Sequence, residues 1–465
     1  MPNSIPKLPS LSIKPPGNWN WQAVLLFLTF HAFGHFATLP CHAEPDPNLP
    51  NIIVIFSDDQ GMHDVSCYGS EIATPEIDKL AKEGMQFTQF YAASSICTPS
   101  RYGLLTGRYP HRSQDNLLGA LMFLEERDQH RGLRKDEATY VERLKGVGYQ
   151  TALVGKWHLG HGEQEFWPTK HGFDSFFGHT GGCVDFFTLD YGNRPDWYRN
   201  EQLVEIDGYA TDVITAEAIQ VLSRSRQNDQ PLYLHVAYNA PHFGKAWNQE
   251  KQAPENVMQP KSEDLIKASG IADPLRRAFA AKVIGMDEGI GKLLKEVERL
   301  GISENTLVIF MTDHGGDPKY GGSNLPFRGG KATLFEGGIR VPCIARWPNR
   351  ITPGSASDQP TGAIDLHATF SEITGFKIKQ TDGVSLLPIL LGKSSPTSRT
   401  LIWRTGSHES LQRKSWAAVR DGDWKWVQQP GQEKMLFNLR VDPHETQNLA
   451  GIHTDIAHRL QKLAQ

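Results

Sequence analysis

The chain has 465 residues, of which 39% are hydrophobic and 22% are charged, and its formal net charge is −4. This composition is typical of a globular protein that buries a sizeable core. No run of five or more basic residues occurs, so a nucleic-acid partner is not expected.

The N-terminal segment has the pattern of a secretory signal peptide. Lys7 and Lys14 precede the apolar run 23–39, and a small-residue cleavage site follows at Ala43. The run is short and interrupted by two histidines, so it is a poor membrane span, although a retained signal anchor is an alternative. We expect residues 1–43 to be removed on export to the periplasm or the medium, which leaves no stable membrane span.

Four short apolar runs rich in β-branched residues predict buried strands of a parallel sheet. They occupy residues 52–56, 152–154, 232–237 and 307–311. Patterns typical of helices lie between them, at residues 137–149, 210–225 and 273–301. This alternation predicts an α/β fold whose mostly parallel central sheet is flanked by helices.

The last part of the chain differs in composition. Two short strands about an Asp-Gly turn at 421–422, one further strand and an amphipathic helix at 454–464 predict a small antiparallel sheet with one helix. The predicted domains are residues 44–375 for the large α/β domain and residues 376–465 for the small one.

Polar residues follow directly after the four predicted strands. They are Asp58, Asp59, Lys156, His158, His242, Asp313 and His314. Because ligands of open α/β sheets bind beyond the carboxyl ends of the strands, these side chains are expected at one edge of one sheet. An isolated Asp pair is typical of an exposed turn. Carboxylates at two equivalent strand ends instead favour a hard divalent cation such as Ca²⁺ or Mg²⁺.

The chain has five cysteines, Cys41, Cys67, Cys97, Cys183 and Cys343. Export permits disulfides, yet Cys41 would leave with the signal peptide. If Cys97 has another use, the remaining three can form at most one bridge, and whether they pair is open.

The surroundings of Cys97 resemble the signature of the sulfatase family. Cys97-Thr98-Pro99-Ser100-Arg101 matches C-x-P-S-R, and Thr106-Gly107-Arg108 matches the T-G-R that follows it. Further blocks that resemble the family lie at residues 51–61, 155–160, 240–242, 329–342 and 436–450. The resemblance therefore covers nearly the whole chain after residue 43, whereas the alternative for Cys97 is a buried structural thiol.

The resemblance implies an alkaline-phosphatase-like fold and a modified active-site residue. In this family a formylglycine-generating enzyme oxidises the signature cysteine to formylglycine (3-oxoalanine), whose hydrate supplies the attacking hydroxyl. The family also implies a bound Ca²⁺, with Mg²⁺ as an alternative. The implied metal ligands are Asp58, Asp59, Asp313, His314 and residue 97, and His314 stands where many members have asparagine.

The resemblance also implies catalytic roles. Arg101 holds the hydrated aldehyde, and Lys156 and Lys331 neutralise the sulfate oxygens. His158 orients or deprotonates the hydrate, and His242 is the general acid for the leaving oxygen.

The resemblance implies an arylsulfatase-like hydrolase of sulfate esters on a carbohydrate such as a glycosaminoglycan or an algal polysaccharide, and the N-terminal pattern predicts its export. Five aromatic residues could stack on sugar rings or could belong to the core: Trp167, Phe186, Tyr191, Trp197 and Tyr198. The alternatives in function are a phosphate or phosphonate ester hydrolase and a non-catalytic carbohydrate-binding protein. The sugar, the position of its sulfate, exo or endo action and the oligomeric state stay open.

Overall fold

The computed structural model describes residues 49–227, 229–393, 398–406, 415–429 and 431–464. The predicted signal peptide therefore lies outside the described residues. Within those ranges, no helix combines the length and the apolar character that crossing a bilayer requires.

The strands, numbered in chain order, are β1 Asn51–Asp58, β2 Met85–Phe87, β3 Phe90–Tyr91, β4 Gln150–Lys156, β5 Ser175–His179, β6 Asp190–Tyr191, β7 Arg194–Pro195, β8 Tyr198–Arg199, β9 Gln202–Leu203, β10 Leu232–Pro241, β11 Gly244–Asn248, β12 Ala253–Val257, β13 Thr306–Thr312, β14 Cys343–Arg346, β15 Ser355–Ser357, β16 Thr361–Gly362, β17 Thr400–Arg404, β18 Ala417–Asp421, β19 Trp424–Gln428 and β20 Met435–Asn438. The helices are α1 Pro75–Glu83, α2 Cys97–Thr106, α3 Glu126–Gln129, α4 Tyr140–Gly146, α5 Ala210–Ser225, α6 Ser262–Lys267, α7 Pro274–Arg299, α8 Glu336–Ile339, α9 Asp365–Thr374, α10 Leu387–Leu390 and α11 Thr454–Leu463.

The large sheet contains ten strands in the order β15-β2-β14-β13-β1-β10-β4-β5-β8-β9. The four predicted strands are neighbours at its centre, β13-β1-β10-β4, and all of their pairings are parallel. Antiparallel strands lie toward both ends, where β14 pairs with β13 and β8 pairs with β5. The predicted α/β fold with a mostly parallel sheet is confirmed.

The central strand β1 is buried along its whole length because both faces of the sheet are covered. Ile52, Val54 and Phe56 pack into one apolar cluster, whereas Ile53 and Ile55 pack into the cluster on the opposite face. Each such fully buried side chain contributes about 1.5–3 kcal/mol relative to an exposed one. Helices α4 and α9 contribute to the first cluster, and α5 and α7 to the second.

The C-terminal sheet is antiparallel, in the order β17-β18-β19-β20, and α11 packs against β18 and β19. Gly422 adopts a positive φ of 58° in the turn that joins β18 to β19, as the predicted Asp-Gly turn requires. The other face packs on residues near α8, including Phe335 and Ile339. The small antiparallel sheet with one helix is thus present, while the domain boundary at 375/376 stays a prediction.

Cysteine pairing was left open by the sequence. Cys67, Cys97, Cys183 and Cys343 are all free thiols in the structure. Hence no disulfide connects the described residues.

Candidate active site

The ends of the four central strands bring the predicted metal ligands together. Two groups of four residues place their ligand atoms within 4.8 Å of one another. The first group is Asp58, Cys97, Asp313 and His314, and the second is Asp58, Asp59, Cys97 and His242. The five residues predicted to bind the cation therefore share one cluster, in which His242 also takes part.

Cys97 is the first residue of α2 and is buried, with 3% of its surface exposed. Its Sγ lies 3.2 Å from Nε2 of His314. Burial alone would favour the neutral thiol, yet Lys156 and Lys331 outweigh it and hold the pKa of Cys97 well below its ordinary value. The helix N-terminus adds a positive potential, so residue 97 occupies a position that stabilises negative charge.

Each carboxylate of the cluster lies beside a cation. Nζ of Lys331 is 2.6 Å from both carboxylate oxygens of Asp59. Nζ of Lys156 lies 2.5 Å from Oδ2 of Asp58. A guanidinium nitrogen of Arg101 is 3.3 Å from Oδ2 of Asp313. The two lysines predicted for sulfate thus contact carboxylates in the structure.

The three carboxylates are not equivalent. Although burial opposes ionisation, Lys156 and its cationic neighbours hold the pKa of Asp58 well below its usual range. Burial raises the pKa of Asp59 to about 6, even though Lys331 opposes this shift. Burial together with the charge of Asp58 raises the pKa of Asp313 well above its usual range. Such neighbouring carboxylates stay ionised together only when more positive charge is present.

The residues present fit a divalent cation. Oδ1 of Asp58 is buried and has no hydrogen-bond partner; its cationic neighbour is a guanidinium nitrogen of Arg101 at 3.6 Å, so the oxygen has a lone pair available for a metal ion. Three carboxylates supply a donor set rich in oxygen, which suits the hard cations Ca²⁺ and Mg²⁺. His314 adds one imidazole nitrogen: Nδ1 donates to the carbonyl oxygen of Gly315 at 3.0 Å, which leaves Nε2 facing the carboxylates, 3.3 Å from Oδ1 of Asp59.

His158 has one ring nitrogen available. Nε2 lies 2.9 Å from the carbonyl oxygen of Leu121, to which it can only donate. Nδ1 is therefore the unprotonated nitrogen, and it is buried without a partner. Burial lowers the pKa of His158, so this imidazole is neutral beside Cys97 and can accept a proton.

In His242 the other ring nitrogen, Nδ1, is the hydrogen-bond donor. Nδ1 donates to the carbonyl oxygen of Phe243 at 2.8 Å, which leaves Nε2 free, 3.5 Å from Oδ2 of Asp59. Burial and Lys331 hold the pKa of His242 well below its usual value. Nε2 is consequently the ring nitrogen available for the general-acid role, which stays a prediction.

Three residues at the site have a left-handed backbone that side chains rarely adopt. The φ angles are 62° at Asp59, 58° at His158 and 68° at Ala332, which follows Lys331. Each such conformation costs on the order of 1–3 kcal/mol and persists only where the surrounding structure imposes it. The loops that carry the site are therefore held in defined shapes.

Cys97, His158, His242 and Lys331 line one cavity with a volume of about 270 Å³. Two pairs of aromatic rings also line it. Phe123 stacks on Tyr191 with ring centroids 4.6 Å apart, and Phe243 lies 4.4 Å from Tyr320. The side chains of Lys156 and Arg101 lie behind the cavity surface, with 0% and 4% exposed.

The five aromatic residues that could stack on sugar rings lie in different environments in the structure. Trp167, Phe186 and Trp197 are buried in the protein, and Tyr198 packs against Trp167. Only Tyr191 of these five lines the cavity. Of the two alternatives that the sequence left open, core packing therefore holds for Trp167, Phe186 and Trp197, while Tyr198 is half-buried against Trp167.

Several cavity residues were not found from the sequence. Phe123, Phe243, Lys245, Lys319 and Tyr320 line the cavity beside the predicted residues. Phe243 and Lys245 follow His242 closely, so the loop after β10 offered a signal. The segment around Tyr320 is brought in by tertiary packing, which no local pattern indicates.

Comparison with known proteins agrees with this geometry. The model of the sulfatase family matches residues 50–376, and that of the N-sulphoglucosamine sulphohydrolase C-terminal region matches residues 330–465. The N-acetylgalactosamine-6-sulfatase of Canis lupus familiaris is 33% identical over 441 residues, which cover 90% of this chain and 79% of that protein. Arylsulfatase J of Mus musculus is 31% identical over 470 residues, covering 90% and 75%.

Among solved structures, that of Ps i-CgsB in complex with k-i-k-neocarrahexaose superposes with a TM-score of 0.79 at 31% identity. The match covers 89% of this chain and 92% of that one. A mostly parallel sheet that presents carboxylates, lysines and histidines around a buried thiol defines a hydrolase of anionic esters. The chain belongs to the sulfatase family and is a sulfuric ester hydrolase. The predicted family and enzyme class are confirmed.

Proposed function

We propose that this sulfatase removes sulfate from a sulfated carbohydrate, with formylglycine at position 97 and a bound Ca²⁺ or Mg²⁺. The observation that carries the proposal is the cavity that joins Cys97 to two pairs of aromatic rings. Aromatic faces pack well against the apolar faces of sugar rings. A volume of about 270 Å³ suits one sugar ring.

Asp58, Asp59, Asp313 and His314 would hold the cation together with residue 97. When bound, the cation would acidify a hydroxyl on residue 97 and draw charge from a sulfate oxygen. A formylglycine at this position would supply that hydroxyl through its hydrate.

The remaining site residues have separable tasks. His158 lines the same cavity as residue 97 and has Nδ1 unpaired, so this nitrogen would accept the proton of the attacking hydroxyl. Lys331 lines the cavity and places positive charge at the sulfate oxygens. Nε2 of His242 is the nitrogen that can transfer a proton to the leaving oxygen.

Arg101 serves as a link between the nucleophile helix and the strand ends. It donates to the carbonyl oxygen of Lys156 at 3.2 Å and to Asp313 at 3.3 Å. Ser100 of the same helix donates to the carbonyl oxygen of Asp313. These bonds fix residue 97 relative to the carboxylates, in addition to any contact that Arg101 makes with the hydrated aldehyde.

The relatives support the substrate class. Ps i-CgsB was solved with a neocarrahexaose, and two proteins at 33% identity are named N-acetylgalactosamine-6-sulfatase. The N-terminal pattern supports export. Fractionation of cells that express the full chain tests this, because a cytoplasmic product that retains residues 1–43 would contradict it.

Release of free sulfate is the direct test. The chain is co-expressed with a formylglycine-generating enzyme and offered sulfated glycosaminoglycan and algal oligosaccharides, with ion chromatography as the readout. We expect release from at least one sugar and none from Cys97→Ala. Hydrolysis confined to aryl sulfates or to phosphate esters, with formylglycine verified by mass, would overturn the carbohydrate proposal.

A further inference from the structure

Two lysines of the active-site cavity have no carboxylate partner. Lys331 is paired with Asp59, whereas Lys245 and Lys319 line the same cavity and form no ion pair with any residue in the described part of the chain. Lys245 is partly buried, and Lys319 is exposed. Outside the carboxylate cluster, the cavity is therefore lined by two ammonium groups and by one carboxylate, that of Asp317.

The hydrogen-bond partner of Lys245 is a neutral side-chain amide. Lys245 on β11 stands directly opposite Asn256 on β12, and its Nζ donates to Oδ1 of Asn256 at 2.6 Å. The amide is neutral, so it orients the ammonium group without cancelling its charge. Two of the three ammonium protons remain for another acceptor.

The side-chain amide of Asn256 also orients the hydroxyl group of Tyr320, which is a third hydrogen-bond donor beside Lys245 and Lys319. Nδ2 of Asn256 donates to the hydroxyl oxygen of Tyr320 at 2.9 Å. Because that oxygen accepts from the amide, the Tyr320 hydroxyl proton is free to donate elsewhere. Tyr320 also lines the cavity and holds its ring 4.4 Å from Phe243.

Lys319 immediately precedes Tyr320 in a short 3₁₀ turn, Pro318–Tyr320. Asp317, the one carboxylate beside it at the cavity, accepts a hydrogen bond from the backbone nitrogen of Lys319 at 3.0 Å. This hydrogen bond stabilises the turn and occupies one carboxylate oxygen of Asp317. Among the described residues, no carboxylate lies within ion-pair distance of the Lys319 ammonium group, which lies 5.6 Å from the centroid of the Tyr320 ring.

We infer that Lys245, Tyr320 and Lys319 bind a second anionic group of the substrate, a sulfate or a carboxylate, while the scissile sulfate lies at residue 97. The inference rests on the proposed carbohydrate function and narrows it to sugars that carry a further anionic substituent near the scissile ester. Hydrogen bonds from charged donors to an anion are about twice as strong as neutral ones, so this group contributes to selectivity.

Binding to the calcium-loaded Cys97→Ala protein tests this without turnover. Calorimetry compares N-acetylgalactosamine 6-sulfate with its 4,6-disulfate and with a disaccharide that adds a glucuronic acid to the 6-sulfated sugar. We expect at least one doubly anionic ligand to bind about 10- to 100-fold tighter than the monosulfate. A preference for the disulfate assigns the site to sulfate, and a preference for the disaccharide assigns it to carboxylate.

The variants Lys245→Met and Lys319→Met should each reduce that preference by about 10-fold, and Tyr320→Phe by less. Lys292→Met, on the exposed side of α7, is the matched control and should keep the full preference for the doubly anionic ligand. Equal affinities for all three ligands, or an unchanged preference in both lysine variants, would overturn the inference. Failure of the carbohydrate proposal would appear separately, as absence of sulfate release from the active protein.

Discussion

The ammonium group of Lys331 lies 2.6 Å from both carboxylate oxygens of Asp59, although 272 positions separate the two residues in the sequence. The same side chain lines the cavity. One lysine therefore connects the carboxylate cluster with the cavity.

Replacing Lys331 should impair catalysis strongly. Lys331→Ala removes a positive charge from the sulfate oxygens and from Asp59, and we expect kcat/KM to fall by roughly 10²–10³. Steady-state kinetics on an aryl sulfate measures this, with Lys292→Ala as the exposed control. A loss smaller than about threefold would show that Lys331 serves only to pair with Asp59.

Removal of the cation should abolish activity and lower stability. Dialysis against a chelator leaves the carboxylate cluster without its ion, and a ligand present at 100 times its Kd contributes about 2.7 kcal/mol. We expect Tm to fall on chelation and to recover, with activity, on addition of Ca²⁺ or Mg²⁺. In Asp313→Asn the chelator should change Tm much less; an equal change in both proteins would place the ion elsewhere.

A methyl group at position 182 should displace His158. An ideal Cβ on Gly182 would lie 2.8 Å from Cε1 and Nε2 of the His158 ring. The ring is held by its bond to Leu121 and cannot yield without losing its orientation. Gly182→Ala is expected to lower kcat by about 10-fold or more with a smaller effect on KM.

Gly270→Ala is the control for that variant, because its Cβ would have no neighbour within 4 Å. Equal kcat values for both alanine variants would mean that the orientation of His158 does not matter. If Tm falls in both alanine variants, the change in kcat reflects a general loss of structure and not the orientation of His158.

The interface of the C-terminal sheet depends on a buried lysine. Nζ of Lys425 lies 2.8 Å from Glu336 and 2.9 Å from Glu445, and all three side chains are buried. Lys425→Met leaves two buried carboxylates without this cation, which should cost about 3–5 kcal/mol of unfolding free energy. Urea unfolding measures the loss, and Lys377→Met at the surface should change it by less than about 0.5 kcal/mol.

Glu445 should make stability depend on pH. Burial raises its pKa from the ordinary 4.5 to about 7, although Lys425 opposes the shift. A carboxyl whose pKa is raised by folding stabilises the protein fully below 4.5, and this contribution is lost as pH rises through 7. Between pH 5 and 8, Glu445→Gln should therefore lose less stability than the parent in urea unfolding. The exposed Glu433→Gln should follow the parent, and identical slopes in all three proteins would refute the assignment.

The central strands and the long helices could be predicted from the sequence. Residues 52–56 form an unbroken apolar run because β1 is covered on both faces, and such a run indicates a fully buried strand. The predicted helix at 210–225 has the bounds of α5. The polar residues after these strands were placed together for the same reason, since parallel strands end at one edge.

Short elements and pairings across the fold could not be predicted. Strands β8 and β9 have two residues each and no apolar period that marks them. The hydrogen bond between Asn256 and Tyr320 joins segments 64 positions apart, which no local pattern indicates. Similarly, nothing in the sequence shows that Trp197 stacks on His179 in the core and does not face the cavity.

The order of the elements along the chain also determines how long Cys97 stays accessible while the chain is being synthesised. Cys97 and His314, whose side chains touch, are 217 positions apart. A ribosome that adds about 5–20 residues per second needs roughly 10–40 s to synthesise that stretch. Until β13 emerges, β1 lacks one of its two neighbours and the thiol cannot be enclosed. If Cys97 is oxidised to formylglycine as proposed, the modifying enzyme would meet it as an accessible peptide during those roughly 10–40 s, before folding buries it.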